Sequence, residues 1–239
     1  MLHPTRYRLV ATAMQLFREK GYGATSVADL LKAADVNSGS LYNFFPGKQD
    51  LLLAVLDAYR SGIREMLLEP AWQGLTDPID KIFSLLARYR QLIVETDCLY
   101  GCPIGSLALE IHQPDATVRE LLAAYFLAWT DAVHECLIEA GRGLPDELDR
   151  LGLAEFVLTT MEGAVMQACT FRDIAYFDRA VQQLRNYIEI LLYGRHGLPV
   201  PVRQALAASA DERVFHGPLA RKETGRMRAA APRKSRVKR

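Results

Sequence analysis

Apolar residues recur along most of this chain at intervals of three and four positions, the spacing that places them on one face of an α-helix. The pattern first appears over residues 7–20, where Leu9, Ala13 and Phe17 share a face and Gly21 ends the stretch. No alternating apolar and polar run of strand length stands out elsewhere. The pattern therefore predicts an all-α protein.

Two short helices are predicted within residues 25–45. Thr25 or Ser26 can cap the first of them, and Asn37 or Ser38 can cap the second. These side chains carry an oxygen that accepts a hydrogen bond from the free amides of a first helical turn. The chain thus packs three helices into its first 45 residues or so.

Longer helices make up the rest of the pattern. The first begins at Lys48 and is predicted to reach Leu68, before Pro70 stops it. Further helices are predicted over residues 78–93, after the break at residues 101–103, and over residues 115–140, 151–171 and 177–193. About nine helices result.

Charge is distributed unevenly along the sequence. The first 60 residues hold 7 basic and 5 acidic residues, residues 61–199 hold 11 and 20, and residues 200–239 hold 11 and 3. An acidic middle is a poor surface for phosphates, so DNA contact is expected at the ends. We interpret the basic end, rich in Ala, Arg and Lys, as a flexible segment, with nonspecific attraction to phosphates as the alternative.

The remaining composition indicates a globular protein of the cell interior. Half of the residues are apolar, which is ample for a buried core. No uninterrupted apolar run of about 18 residues occurs, and the first ten residues lack the apolar region of a secretion signal. We therefore expect a cytoplasmic protein that does not contact a membrane, with its four scattered cysteines reduced.

Residues 25–45 form the segment most suggestive of function. They read as a helix, a tight turn and a second helix whose exposed positions are small or polar. A helix presented in this way fits the major groove of DNA, which is about 12 Å wide. The second of these helices is therefore the candidate reading helix.

A set of residues around this segment stands in a familiar order and spacing: Gly21-Tyr22, Ala24-Thr25-Ser26-Val27, Ala33-Ala34, Val36, Gly39, Leu41-Tyr42, Phe45-Pro46 and Lys48. In that order they resemble the TetR family of bacterial transcriptional regulators. The resemblance implies a helix-turn-helix domain at residues 1–48 and an effector-binding and dimerisation domain at 49–198, and the composition separates a basic tail at 199–239. It also implies a homodimer on double-stranded operator DNA, responding to a small-molecule effector.

The resemblance also assigns the DNA-binding residues. It implies that Thr25, Tyr42 and Lys48 contact phosphates, while Ser38, Gly39, Ser40 and Asn43 approach bases, and Ser26 belongs to the same set. Asn37, Ser38 and Asn43 depart from the residues common in the family, so the operator sequence cannot be transferred. The alternative for Leu41, Tyr42 and Phe45 is a role in the helical core, which we accept for Leu41 and Phe45.

The middle domain must be interpreted from its own residues. An effector pocket is predicted between its first four helices, since pockets are mostly apolar with a few polar groups. The candidate lining residues are Tyr59, Phe83, Tyr89, Cys102, Phe126 and Trp129, with His134 as a polar handle. The alternative for each aromatic residue is ordinary core packing.

Two cysteines, Cys98 and Cys102, flank a predicted helix junction. Cys102 would lie near a helix N-terminus, where the helix dipole can lower a thiol pKa, so a thiol sensor of electrophiles or oxidants is one possible function. The alternative is a pair of small buried residues. A metal site with His112 would lack a fourth ligand, and we predict no metal and no cofactor.

The last two helices carry small and large apolar residues that can form a two-fold, four-helix dimer interface, with an intramolecular core as the alternative. With such a dimer, the resemblance implies a repressor that a small molecule releases from a palindromic operator. No nucleophile elbow, phosphate-binding glycine loop or zinc-binding His-Glu-x-x-His motif is present, so an enzyme is not expected. A helical interaction module without DNA binding is the remaining alternative.

Overall fold

The computed structural model describes residues 3–111 and 115–193, and this part of the chain is helical without any strand. Nine helices have seven or more residues, as the apolar pattern predicts. They are α1 (Pro4–Lys20), α2 (Val27–Ala34), α3 (Ser38–Phe44), α4 (Lys48–Ile63), α6 (Pro78–Val94), α7 (Pro103–Glu110), α8 (Ala116–Glu139), α9 (Arg150–Phe171) and α10 (Ala175–Tyr193); α5 (Glu69–Trp72) is a single turn. The predicted tail at 199–239 lies outside the described residues.

Side-chain caps fix where most of these helices begin. Ser26 rather than Thr25 caps α2, and Asn37 rather than Ser38 caps α3, each by accepting a hydrogen bond from an amide of the first turn. Asp77 caps α6 in the same way, ahead of a proline at the first helical position. The short α2 and α3 thus begin at fixed positions, which sets the orientation of the segment between them.

The prediction that Pro70 stops the fourth helix is wrong. After α4 the chain makes a π-helical turn, Arg64–Leu68, and continues as α5 through Pro70 to Trp72. In a π turn the amide bonds to a carbonyl five residues earlier, and the amide of Glu69 does so with Arg64. Pro70 then stands in the first turn of α5, where a missing amide proton is tolerated.

The core of the larger part of the fold is built around α8, which packs against α4, α6 and α9. Trp129 and Val133 of α8 are fully buried there. By length and composition α8 alone, of the described helices, could cross a membrane, with a mean hydropathy of 1.3 over its most apolar window. Its packing between other helices identifies it instead as a core helix.

The first three helices form a small head whose apolar centre is continuous with the core of the rest of the described fold. Leu9 and Ala13 of α1, Leu30 of α2 and Leu41 of α3 are buried there. Helix α1 also packs along α4 and reaches α7. The head is therefore attached to the rest of the fold through α1 as well as through the chain connection into α4.

Candidate functional site

The candidate reading helix α3 has one buried face and one polar, exposed face. Leu41 is buried, and Phe45 anchors the end of the helix in the head. The side chain of Tyr42 is 54% exposed. The other exposed residues of this face are Ser38, Gly39 and Asn43, and Ser40 is half-buried. This face offers hydroxyl and amide groups to a partner.

Helix α2 supports α3 and begins with a reciprocal cap. Ser26 accepts a hydrogen bond from the amide of Asp29 at 3.1 Å, and Asp29 accepts one from the amide of Ser26 at 3.0 Å. Lys20, at the end of α1, forms an ion pair with Asp29 at 3.3 Å. The bonds from Ser26 and from Lys20 lower the pKa of Asp29 to about 2.

The turn between α1 and α2 is held from the other part of the fold. Glu110, the last residue of α7, accepts hydrogen bonds from the amides of Tyr22 at 2.8 Å and Gly23 at 2.6 Å. Lys48 lies 4.3 Å from the centre of the Tyr22 ring, and its Nζ donates to the carbonyl oxygen of Gly23 at 3.5 Å. The carboxylate of Glu110 on α7 therefore binds the head at the turn that precedes α2.

A cavity of about 410 Å³ lies between α1, α4, α6, α7 and α8. Its walls are apolar and phenolic, with two arginine side chains. The lining residues are Arg18, Tyr59, Ile63, Met66, Leu67, Arg88, Tyr89, Leu92, Ile93, Tyr100, Gly101, Cys102, Pro103 and Tyr125. Helix α7 begins at this cavity and ends at Glu110, which binds the turn of the head. The cavity and this contact with the head therefore share one short helix.

The tyrosines of this cavity are neutral hydrogen-bonding groups. The hydroxyls of Tyr89 and Tyr125 lie 3.4 Å apart. Burial raises the pKa of both residues well above 10, and it raises the pKa of Tyr59 to about 12. All three phenols therefore keep their protons at neutral pH and can donate hydrogen bonds to a bound molecule.

Comparison with known proteins shows the family. Residues 9–55 match the family model described as bacterial regulatory proteins, tetR family, and residues 78–183 match the C-terminal domain of LmrA/YxaF-like transcriptional regulators. An uncharacterized HTH-type transcriptional regulator of Mycobacterium tuberculosis is 32% identical over 188 residues, covering 77% of this chain and 93% of that protein. The chain belongs to the TetR family.

Two further relatives agree with this assignment. The HTH-type transcriptional repressor NemR of Escherichia coli is 31% identical over 195 residues, which cover 78% of this chain and 94% of NemR. A solved TetR regulator from Chloroflexus aurantiacus is 31% identical with a TM-score of 0.69, covering 77% of this chain and 93% of that one. This TetR-family protein is accordingly a DNA-binding transcriptional regulator.

The structure gives Thr25 of this TetR-family protein a different role from the predicted phosphate contact. Its side chain is fully buried, and the hydroxyl donates to the carbonyl oxygens of Gly21 at 2.6 Å and Leu16 at 3.3 Å. A hydroxyl used in this way is not available to a phosphate. Thr25 instead fixes the turn between α1 and α2, and Ser26 is the exposed residue at the start of α2.

The predicted pocket residues divide into two groups. Tyr59, Tyr89 and Cys102 line the cavity. Phe83 and Trp129 do not line it and are buried in the core, while Phe126 lines a neighbouring groove between α7, α8 and α9. The apolar pattern places the five aromatic residues on inward helix faces, and it does not distinguish a face that borders the cavity from one that packs in the core.

Sequence reasoning missed the residues that give the cavity its charge. Arg88 adjoins the predicted Tyr89 on α6, and this adjacency was the available signal. Arg18, the second arginine of the lining, belongs to the head. Glu110, which was also missed, binds the turn of the head, and its partners are far away in sequence. No spacing rule reveals the positions of these last two residues.

The prediction of a lowered thiol pKa at Cys102 is wrong. Cys102 is the N-cap of α7 and accepts a hydrogen bond from the amide of Gly105 at 3.4 Å, as the dipole argument requires. Burial and the neighbouring Glu162 nevertheless raise the pKa of its thiol far above 9. Cys102 is therefore a buried thiol in its neutral form, and the third residue of the rejected metal site, His112, lies outside the described residues.

Proposed function

We propose that this regulator is a cytoplasmic repressor whose two copies bind a palindromic operator and leave it when a small molecule occupies the cavity. The proposal keeps the predicted division into a head at residues 1–48 and an effector-binding and dimerisation domain from residue 49 to 198. The matched family models, over residues 9–55 and 78–183, support this division. NemR, which is 31% identical, is named as a repressor.

The exposed polar face of α3 carries this proposal. Tyr42 extends from a helix whose opposite face is held in the head by Leu41 and Phe45. An exposed tyrosine on a rigid helix contributes a hydroxyl that can bond to a phosphate, and Asn43 can pair with adenine in the major groove. We assign Tyr42 and Lys48 to phosphates, and Ser38, Gly39, Ser40 and Asn43 to the base edges.

A dimer supplies the second reading helix. Helices α9 and α10 expose seven large apolar side chains: Leu151, Phe156, Met166, Phe171, Tyr187, Ile190 and Tyr193. Phe156 and Tyr187 also make an edge-to-face ring contact, with their centres 6.1 Å apart. Exposed apolar side chains in this number on two adjacent helices fit an interface between two copies. A two-fold pair would place two α3 helices about one DNA turn apart.

The helix contacts support a route for release. The cavity is bordered by α4 and α7, and α4 and α7 both contact α1 of the head. A ligand that binds better to one arrangement of these helices favours that arrangement. We propose that the favoured arrangement changes the separation of the two heads, so that they no longer match successive major grooves.

The experiment is a selection of duplexes from a random DNA pool, followed by a salt titration of the selected site. We expect a palindrome, and we expect affinity to fall steeply with salt because phosphate contacts release counterions. Tyr42→Ala should weaken binding by roughly 1–3 kcal/mol, and Tyr42→Phe should lose only the share carried by the hydroxyl. Unfolding curves that match the wild type control for folding.

The same selection separates the alternatives. A pool that yields no preferred sequence, with binding lost on deletion of residues 200–239, would indicate nonspecific attraction by the basic end. No binding at all would indicate a helical interaction module. Either result contradicts the repressor proposal.

A further inference from the structure

The cavity is positively charged although it lies in an acidic domain. Two guanidinium groups, those of Arg18 and Arg88, line it, and its described lining contains no aspartate or glutamate. The carboxyl group of Glu162, which interacts with Cys102 of the lining, lines the neighbouring groove, and burial raises its pKa, which favours its neutral form. The electrostatics of the cavity therefore favour a negatively charged ligand.

Arg88 keeps one edge of its guanidinium group unpaired. Its Nη1 donates to Oε1 of Gln91 at 3.0 Å. Its Nε is buried and has no hydrogen-bond partner among the described residues, and no bond from its Nη2 is found in that part of the chain. A buried donor without a partner is uncommon in folded proteins and is destabilising, so a bound acceptor at this edge would relieve the deficit.

A second arginine of the same helix shows which group such a guanidinium edge binds. Arg90, two residues along α6, uses Nε and one Nη to bind the two carboxylate oxygens of Asp178, at 2.7 and 2.9 Å. This paired geometry is the strong, orienting contact that guanidinium groups make with carboxylates. Arg88 lines the cavity, and its corresponding pair of nitrogens has no protein carboxylate.

We propose that the cavity binds a small organic anion with an apolar body, and that the Arg88 side chain turns its unpaired edge towards the cavity to hold the carboxylate. The phenols of Tyr59, Tyr89 and Tyr125 supply neutral donors around it, and Ile63 and Ile93 contact the apolar body. A cavity of about 410 Å³ matches a ligand of drug-like size. This inference rests on the proposed function, because it names the effector class of that regulator.

Arg18 extends the inference to the DNA-binding head. It belongs to α1, and its guanidinium group lies 5.2 Å from the centre of the Tyr100 ring at the edge of the cavity. No hydrogen bond or ion pair from the guanidinium group of Arg18 to a described residue is found. An anion in the cavity therefore attracts a cation of the head directly, which links ligand binding to the position of α1.

The ligand class is tested on the full chain without DNA, by calorimetric titration with 2-naphthoate and with its neutral counterpart 2-naphthamide. The carboxylate should bind at least about tenfold more tightly, because paired charge-assisted bonds are lost in the amide. Arg88→Gln should abolish this preference, and Arg88→Lys, which keeps the charge but not the paired edge, should reduce it. Arg90→Gln is the matched control and should leave the preference intact.

Three results would overturn the assignment: equal binding of the amide, no saturable binding of the carboxylate at millimolar concentration, or a preference that survives Arg88→Gln. Because these titrations contain no DNA, they decide the ligand class even if the duplex selection finds no operator. Failure of the ligand class and failure of the proposed function are thus separate outcomes.

The link to the head is tested on the selected operator. In the wild type, saturating 2-naphthoate should raise the operator Kd by at least about tenfold, a coupling of ordinary size for an allosteric protein. In Arg18→Gln the ratio of the operator Kd with and without 2-naphthoate should move closer to one. The ratio cancels any direct contribution of Arg18 to DNA binding, and an unchanged ratio would reject the link.

Discussion

Replacing Glu110 with glutamine should loosen the turn between α1 and α2. The carboxylate of Glu110 accepts hydrogen bonds from the amides of Tyr22 and Gly23, at 2.8 and 2.6 Å. A glutamine keeps one carbonyl oxygen for one of these amides, but its NH₂ group would meet the other amide, and two donors cannot bond. One bond is lost, and the remaining bond loses its negative charge.

The size of the effect follows from these two bonds. A hydrogen bond to a charged acceptor contributes about 1.5–3 kcal/mol when buried, and because Glu110 is exposed we use about 1–2 kcal/mol. Each 1.4 kcal/mol is about a factor of ten, so the Tyr22 and Gly23 amides should exchange with solvent about 5–30 times faster.

Hydrogen exchange at fixed pH, followed by NMR at single amides, measures this change. Glu120→Gln is the matched control, because Glu120 is an exposed glutamate of α8 whose side chain has no hydrogen bond or ion pair within the described residues. The reasoning is refuted if the Tyr22 and Gly23 amides exchange at the wild-type rate in Glu110→Gln. An equal acceleration in the control would also refute it.

Four further predictions concern other parts of the structure. Gly21→Ala should destabilise the fold by about 1–2 kcal/mol in urea unfolding, because Gly21 has φ of +85°, and an unchanged midpoint would contradict this. The stability that comes from the lowered pKa of Asp29 is fully present above its ordinary pKa of 3.8 and is lost as pH falls through about 2. Asp29→Asn should therefore reduce the pH dependence of the free energy of urea unfolding over that window, and an unaltered pH profile would count against it. Alkylation at pH 8, read by mass spectrometry, should modify Cys102 at least about 100-fold more slowly in the folded than in the unfolded protein, and rapid labelling would show an exposed thiol. Phe156→Arg should shift the protein towards monomer in light scattering, whereas the control Val94→Arg should not, and equal behaviour of the two would reject the α9–α10 interface.

The helices were predictable from the sequence because their signals are local. The spacing of Leu9, Ala13 and Phe17 determines a face of α1 without reference to any distant residue. Caps are equally local, although the pair Thr25 and Ser26 shows the limit of the method. Both residues can cap α2, and only the burial of Thr25 in the folded head leaves Ser26 to do so.

The cavity was only partly predictable because it depends on distant parts of the chain. Tyr89 and Trp129 both lie on inward helix faces, and their rings are 6.3 Å apart, yet only Tyr89 borders the cavity. Which of two neighbouring rings faces empty space depends on how α4, α6 and α8 pack together. The arginine from α1 enters the same space for that reason, since the sequence does not show that α1 reaches it.

The π turn at residues 64–68 has a consequence for how relatives of this protein can diverge. A π turn behaves as a single inserted residue in an α-helix, so the loss of one codon would restore the regular hydrogen-bonding pattern. The deletion would rotate the following side chains by about 100°, and Met66 and Leu67 of this turn line the cavity. One genetic event could therefore reshape the cavity wall while leaving every residue of α1, α2 and α3 unchanged, so that effector choice evolves independently of operator choice.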